Sequence, residues 1–302
     1  MEQIQKATWI GSISILLWGM LALFTQMTEG RIPPFQMIAM TFSIAFVMML
    51  LNWWRKGELG LQYLRQPIPV WVLGVGSYFG YHFCYFAAMN NAPAVDVSLI
   101  AYLWPLFIVL FAALLPGESL LLKQVVGALV ALFGCWLIIA NKAEGSDGFD
   151  IENMQGYLLA FACALIWSSY SVLSRFVKQV STDVVGWYCF FTAILAWFAH
   201  LYWEESVQPE TFKHWLGVVG LGIGPMGLAF FTWDYGVKRG NLPLLGVLSY
   251  SAPLISVLLL IIWGDARLTL NLILACIAIV LGSLIAGLSL RQLKMFSANF
   301  KR

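Results

Sequence analysis

Aromatic side chains and one histidine recur at the centre of apolar segments, where the chemistry open to them is ring stacking and hydrogen bonding. In the third apolar segment, Gly74, Tyr78, Tyr81, His82 and Tyr85 fall on one stripe of a helix. A phenol group at bilayer depth needs a hydrogen-bond partner, so we expect this stripe to face a cavity. His82 either contacts substrate or protons, or is a neutral histidine that bonds a neighbouring helix.

A helix-breaking proline lies beside two further rings in the segment from Val95 to Glu118. Pro105 has no N–H and frees the carbonyl of Ala101, so the helix must bend there. Tyr102 and Trp104 lie directly before the bend. The pattern predicts a cavity beside the helix, although many membrane helices carry a kinking proline for packing alone.

Groups for bond-making chemistry are scarce in these segments. Apart from His82, the ionisable groups that come closest lie within about a turn of predicted segment ends: Asp96, Glu118, Asp183, His200 and Asp234. The chain has no HExxH, GxSxG or paired-carboxylate pattern, and its cysteines lack metal-type spacing. We therefore predict a protein that is not an enzyme and needs no metal or cofactor.

The composition identifies the elements that must hold these residues. Of 302 residues, 61% are apolar and 11% charged, with a mean hydropathy of +0.81, which is typical of an integral membrane protein. Windows of about 20 residues cross a hydrocarbon core of about 30 Å. They predict an all-α protein with ten spans, at roughly 7–27, 35–54, 69–89, 96–115, 122–141, 156–177, 183–203, 214–236, 242–263 and 269–290.

Lysine and arginine residues predict the orientation of the spans. With the N-terminus inside, thirteen of them fall on inside segments and four on outside segments. This bias places both termini in the cytoplasm. The net charge of +2 gives no reason to expect a nucleic-acid partner.

An internal repeat divides the chain into two halves at an offset of about 148 residues. Tyr102 falls on Tyr250 and Pro105 on Pro253, and at a neighbouring offset Trp18 falls on Trp167. Each half, residues 1–145 and 146–302, holds five predicted spans, so the second half enters the membrane inverted. The charges agree, because Asn90 and Asn91 in an outside turn fall on Lys238 and Arg239 in an inside turn. Inverted repeats of this kind are typical of transporters, with substrate bound between them.

Small residues form stripes on other spans, at Gly127, Ala131 and Gly134, at Ala275, Ala278 and Gly282, and at Gly220, Gly224 and Gly227. Such faces let helix backbones approach closely. The fifth and tenth spans either pack on each other or form a homodimer contact.

The repeat, together with the span ends GES (Gly117 to Ser119) and GDA (Gly264 to Ala266), resembles the drug/metabolite transporter superfamily, specifically proteins with two EamA-type domains. PPFQ (Pro33 to Gln36) and YLWP (Tyr102 to Pro105) resemble its YddG-type aromatic amino acid exporters. The resemblance implies a multi-pass protein of the bacterial inner membrane that exports aromatic amino acids. It also implies a central aromatic cavity, to which Tyr102, Trp104 and Trp167 match best.

These observations define the predicted site and its alternatives. The predicted substrate-binding residues are Trp18, Tyr78, Tyr81, His82, Tyr85, Tyr102, Trp104, Trp167 and Tyr250, with helix kinks at Pro105 and Pro253. We expect alternating access around them, either as facilitated diffusion or coupled to protons. Alternative cargoes are amino acids of the threonine and homoserine type, or flat organic cations held by cation–π contacts. A membrane enzyme would need convergent acid, base or metal groups, and a sensor or scaffold would more often carry a large cytoplasmic domain.

Overall fold

The computed structural model describes residues 2–117, 121–140, 151–263 and 269–287, and these residues form helices without strands. Glu118, Ser119, Gly264 to Ala266, most of the predicted linker between the halves and the basic C-terminal tail lie outside the described residues. Six of the described helical segments are long and apolar enough to cross a membrane, and shorter apolar helices accompany them. The integral membrane prediction agrees with this.

Fifteen α-helices follow one another along the described residues. They are α1 (Glu2–Gly19), α2 (Leu21–Met27), α3 (Pro34–Arg55), α4 (Ile68–Trp71), α5 (Ser77–Met89), α6 (Ala94–Ala101), α7 (Trp104–Ala112), α8 (Leu122–Ala140), α9 (Met154–Leu173), α10 (Val185–Trp203), α11 (Phe212–Ile223), α12 (Ala229–Arg239), α13 (Leu242–Leu248), α14 (Ser251–Trp263) and α15 (Leu270–Gly287). Where two consecutive helices are separated only by a short break or a π-helical turn, the two together are called a rod, as is each uninterrupted long helix.

Two rods are broken beside a proline, as the sequence predicted. The first ends as α6 at Ala101 and resumes as α7 at Trp104, directly before Pro105. The second ends as α13 at Leu248 and resumes as α14 at Ser251, two residues before Pro253. Because each proline lacks an N–H, the preceding turn loses a helical hydrogen bond, which explains why the helix is interrupted there.

Two other rods contain a π-helical turn, which widens the helix locally. One turn spans Val72–Gly76 between α4 and α5, and the other spans Gly224–Leu228 between α11 and α12. Gly74 allows the ring of Tyr188 to approach, since a Cβ there would come within 2.3 Å of it. Turns of this kind often lie beside functional sites.

Helices α8 and α15 pack on each other through their small residues in a reciprocal pattern. A Cβ added to Gly127 would meet the carbonyl oxygen of Gly282 at 2.5 Å, and the reverse distance is also 2.5 Å. A Cβ on Gly134 would meet the carbonyl oxygen of Ala275 at 2.9 Å. At the repeat offset of about 148 residues, Gly127 corresponds to Ala275 and Gly134 to Gly282. The contact of Gly127 with Gly282 and that of Gly134 with Ala275 are therefore equivalent, as an internal two-fold relation requires.

The remaining rods pack in the same crosswise manner. Helix α1 lies along α12 and helix α9 lies along α5, so the first rod of each half packs on the third rod of the other. Gly11 and Gly236 make the first contact close, with a Cβ on Gly236 only 2.5 Å from the Cα of Gly11. The Gly220 face of α11 meets Phe24 in the same way. The small-residue faces of α8 and α15, which were considered for a homodimer contact, pack on each other within the chain.

The Gln36 of the PPFQ motif joins the start of α3 to the segment after α10. Its amide donates to the carbonyl of Val207 at 2.6 Å and accepts from the N–H of Val207 at 2.9 Å. The carboxylate of Glu204 accepts from the N–H groups of Phe35 and Gln36 at 2.9 and 3.0 Å. A carboxylate there satisfies free N–H groups and complements the helix dipole. This motif therefore has a structural role where the start of α3 meets the segment after α10.

A group of charged side chains links the connection between α2 and α3 to the residues around the start of α11. Arg31 pairs with Glu210 at 3.0 Å, and His214 lies 3.5 Å from Glu29. The hydrogen bond from His214, with the charge of Lys213 adding to it, lowers the pKa of the Glu29 carboxyl. The exposure of Arg31, Glu29 and Glu210 limits the contribution of their ion pairs to stability.

Candidate substrate cavity

The broken and widened helices, together with α9, line a cavity of about 480 Å³. Its walls are mostly apolar and aromatic, and they come from α1, α2, α5, α6, α7, α9, α12, α14 and the second π turn. The lining residues are Trp18, Leu21, Ala22, Tyr81, His82, Tyr85, Phe86, Ala94, Ser98, Ala101, Tyr102, Trp104, Trp167, Met226, Phe230, Ala252, Pro253, Ser256 and Val257. Both halves of the chain therefore contribute to one site.

Seven of the nine predicted substrate-binding residues line this cavity. They are Trp18, Tyr81, His82, Tyr85, Tyr102, Trp104 and Trp167. Pro253 also lines it, whereas Pro105 is buried behind the wall. The structure does not bring Tyr78 or Tyr250 to the cavity, because each side chain packs into a different part of the protein interior.

Tyr78 turns away from the cavity towards α9 and α12. Its hydroxyl lies 3.1 Å from the hydroxyl of Tyr170, and its ring centroid lies 4.5 Å from that of Phe230. The side chain is fully buried in the main core. The partner that a deep phenol needs is therefore another protein hydroxyl and not a substrate.

Tyr250 lies in a separate apolar cluster with residues of α7, α8, α13 and α15. It is fully buried beside Val109, Ala128 and Cys135. Its repeat equivalent Tyr102 does line the cavity. The two halves thus use the same position differently, which an argument from the repeat alone could not predict.

Edge-to-face contacts between tryptophans form the core of the cavity wall. The ring centroids of Trp18 and Trp104 lie 6.1 Å apart at an angle of 84°. Those of Trp18 and Trp167 lie 5.7 Å apart at 75°. Tyr81 contacts Trp167 at 5.9 Å and stacks on Tyr85 at 6.1 Å and 10°. Such contacts hold ring faces at fixed angles, which suits binding of a flat aromatic group.

Polar groups in the wall are few. The Nδ1 atom of His82 lies 2.7 Å from the carbonyl oxygen of Tyr78, so this nitrogen carries a proton and donates; when the ring is neutral, Nε2 is the acceptor. The indole N–H of Trp18 donates to the carbonyl of Pro225 at 3.2 Å. Ser98 and Ser256 add hydroxyls. Among the described residues that line the cavity there is no Asp, Glu, Lys or Arg.

A buried ion pair lies beside the cavity and not within it. Lys238 donates to the carboxylate of Asp234 at 2.8 Å, and both side chains are 1% exposed. Tyr170 and Thr182 donate to the same carboxylate at 2.9 and 2.7 Å. Lys238 also donates to the carbonyl of Val180 at 3.1 Å.

The burial of Lys238 was not expected, because the sequence analysis placed this residue in an inside turn after the predicted span 214–236. Helix α12 continues to Arg239, and Asp234 precedes Lys238 by one turn on the same face. The lysine therefore points inward and meets its partner.

Phe230, Met226, Phe86 and Ser256 are lining residues that the sequence analysis missed. One signal was available for Phe230, because it falls on His82 at the repeat offset of about 148 residues. Trp233, behind the wall, falls on Tyr85 at the same offset. A search for rings at equivalent positions would have found both.

An α-helical membrane protein whose broken helices line an aromatic cavity has the architecture of a small-molecule transporter. The model of the EamA-like transporter family matches the chain twice, at residues 5–140 and 154–288. The chain belongs to the EamA-like transporter family. It is therefore a membrane transporter and not an enzyme.

Individual relatives are similar over nearly the whole chain. The aromatic amino acid exporter YddG of Ancylobacter novellus is 50% identical over 287 residues, which cover 95% of this chain and 99% of that exporter. The protein of the same name from Salmonella typhimurium is 28% identical over 302 residues, which cover 95% of this chain and 99% of that exporter. A crystal structure with 49% identity has a TM-score of 0.88 and covers 94% of this chain and 98% of its own.

Proposed function

We propose that the protein exports aromatic amino acids across the bacterial inner membrane. The observation that carries the proposal is the cavity of about 480 Å³, whose described wall presents Trp18, Trp104 and Trp167 and includes no Asp, Glu, Lys or Arg. This volume lies within the range of about 300–1,000 Å³ typical of small-molecule sites. The relative at 50% identity is named an aromatic amino acid exporter, which supports the same substrate class.

The bound amino acid would place its ring against these tryptophans. Each aromatic pair contributes about 0.5–1.5 kcal/mol beyond the burial of surface area. The helix break leaves the carbonyl of Ala101 beside the cavity as an acceptor for the ammonium group. The hydroxyls of Ser98 and Ser256 can donate to the carboxylate. Several weak contacts of this kind bind the substrate and still release it.

The membrane architecture of this proposal is ten spans in two inverted five-helix repeats, residues 1–145 and 146–302, with both termini in the cytoplasm. The paired helix breaks, the paired π turns and the reciprocal contact of Gly127 with Gly282 support it. Alternating access then corresponds to one repeat rocking against the other around the cavity. A homodimer would have to use a surface other than the small-residue faces.

Flux in liposomes tests the proposal. We expect purified protein to carry labelled Trp, Phe and Tyr faster than Thr, homoserine or a flat organic cation. Because no carboxylate lines the cavity in the part of the chain that the structure describes, we expect the same rate with and without a pH gradient, as in facilitated diffusion. Absence of aromatic amino acid flux, or a preference for Thr or for the cation, would contradict the proposal.

A further inference from the structure

We infer that Trp233 is a positioning residue that holds the three cavity tryptophans at their working angles, and that the Ser171 hydroxyl fixes Trp233 in turn. The inference rests on the proposed function of the cavity. Trp233 does not line the cavity and is fully buried behind it. Its role is therefore to support other rings and not to contact substrate.

The ring of Trp233 contacts all three tryptophans of the wall. Its centroid lies 5.1 Å from Trp18 at 55°, 5.7 Å from Trp104 at 87°, and 6.4 Å from Trp167 at 20°. These three rings belong to α1, α7 and α9. Trp233 is thus a shared neighbour for ring faces from both halves of the chain.

One hydroxyl determines how Trp233 itself is oriented. The indole N–H of Trp233 donates to Oγ of Ser171 at 3.0 Å, and this Oγ donates to the carbonyl of Trp167 at 2.8 Å. A buried indole N–H normally requires such a partner. The bond leaves one preferred ring orientation, and the ring contacts transmit it to the cavity wall.

Ser168 provides a matched control on the same helix. Like Ser171 it is fully buried and donates to the carbonyl four residues earlier, at 2.7 Å from Ala164. It receives no hydrogen bond from a ring within the described residues. A difference between Ser171→Ala and Ser168→Ala therefore reports the bond to Trp233 and not the loss of a buried hydroxyl in α9.

The test measures tryptophan flux per folded molecule in liposomes as a function of concentration. We expect Ser171→Ala to raise the KM for tryptophan by about fivefold, with little change in maximal rate, since a neutral hydrogen bond contributes about 1 kcal/mol. Ser168→Ala should leave the KM unchanged. In a Trp233→Phe background, which has no indole N–H, Ser171→Ala should cause no further rise.

Each outcome bears on one claim. Equal KM values for the two serine variants would overturn the inference while wild-type flux leaves the proposed function intact. An additional rise on Ser171→Ala in the Trp233→Phe background would also overturn it, because the hydroxyl would then act independently of the ring. Absence of wild-type flux would instead contradict the proposed function.

Discussion

Lys238→Met lowers the stability of the folded protein by about 3–5 kcal/mol, because it leaves a buried carboxylate without its cation. Asp234 is enclosed with Lys238, and the two hydroxyl donors that remain do not neutralise it. Asp234→Asn has a similar effect because it leaves the ammonium group buried. Thermal unfolding of purified protein, followed by size exclusion in detergent, measures both.

The double variant Asp234→Asn with Lys238→Met separates charge from packing. We expect it to recover most of the lost stability, since neutral groups of similar size replace both charges. The pair Lys56 and Asp183 provides the control. Its N···O distance is also 2.8 Å, but the Lys56 side chain is 44% exposed, so Lys56→Met should cost about 0–1 kcal/mol. A double variant no more stable than either single one, or an equal loss at Lys56, would show that buried charge is not the cause.

Trp104→Ala reduces tryptophan transport per folded molecule by about 30-fold, more than it reduces expression. Trp104 presents its ring to the cavity and contacts Trp18 and Trp233. Losing one tryptophan face from a bound aromatic ring removes about 2 kcal/mol of contact and burial, which corresponds to that factor in apparent affinity. Flux normalised to the monodisperse protein fraction measures it.

Trp136→Ala is the control for Trp104→Ala. Trp136 lies on α8, away from the cavity, and is 45% exposed. Its removal should leave the transport rate unchanged. Equal losses of transport and of folded protein for Trp104→Ala would make Trp104 a core residue without a role in substrate binding.

The helices and their interruptions were predictable because their causes are local. A run of apolar residues about 20 long specifies a span, and a proline removes an N–H wherever it stands. The breaks before Pro105 and Pro253 follow directly. The π turns were not predicted, because an extra residue in one turn depends on neighbours such as the Tyr188 ring against Gly74.

The direction of individual side chains was less predictable, because it depends on packing between distant segments. Tyr78 and Tyr81 share a stripe, yet the Tyr170 hydroxyl on α9 lies at hydrogen-bond distance from the hydroxyl of Tyr78 and, among the described contacts, not from that of Tyr81. Residues on one stripe of a helix can contact different neighbouring helices, and the sequence does not show which residue contacts which helix. Lys238 shows the same limit for charge, since only the end of α12 determines whether the side chain reaches water.

Composition and periodicity could not predict the role of Trp233. Its function as a support arises from contacts with three helices, α1, α7 and α9, that are far apart in the chain. Its position could have been noticed through its repeat equivalent, Tyr85. Its burial behind the wall could not.

Substrate protection of a single thiol at Ser256 tests most directly that the cavity binds aromatic amino acids. Ser256 lines the cavity, and Ser256→Cys would be made in a chain whose five native cysteines are replaced: Cys84, Cys135, Cys163, Cys189 and Cys276. We predict that excess tryptophan slows the reaction of this thiol with a small water-soluble reagent, whereas the same concentration of threonine does not. An unchanged reaction rate in tryptophan, in a variant that still transports tryptophan, would contradict the account.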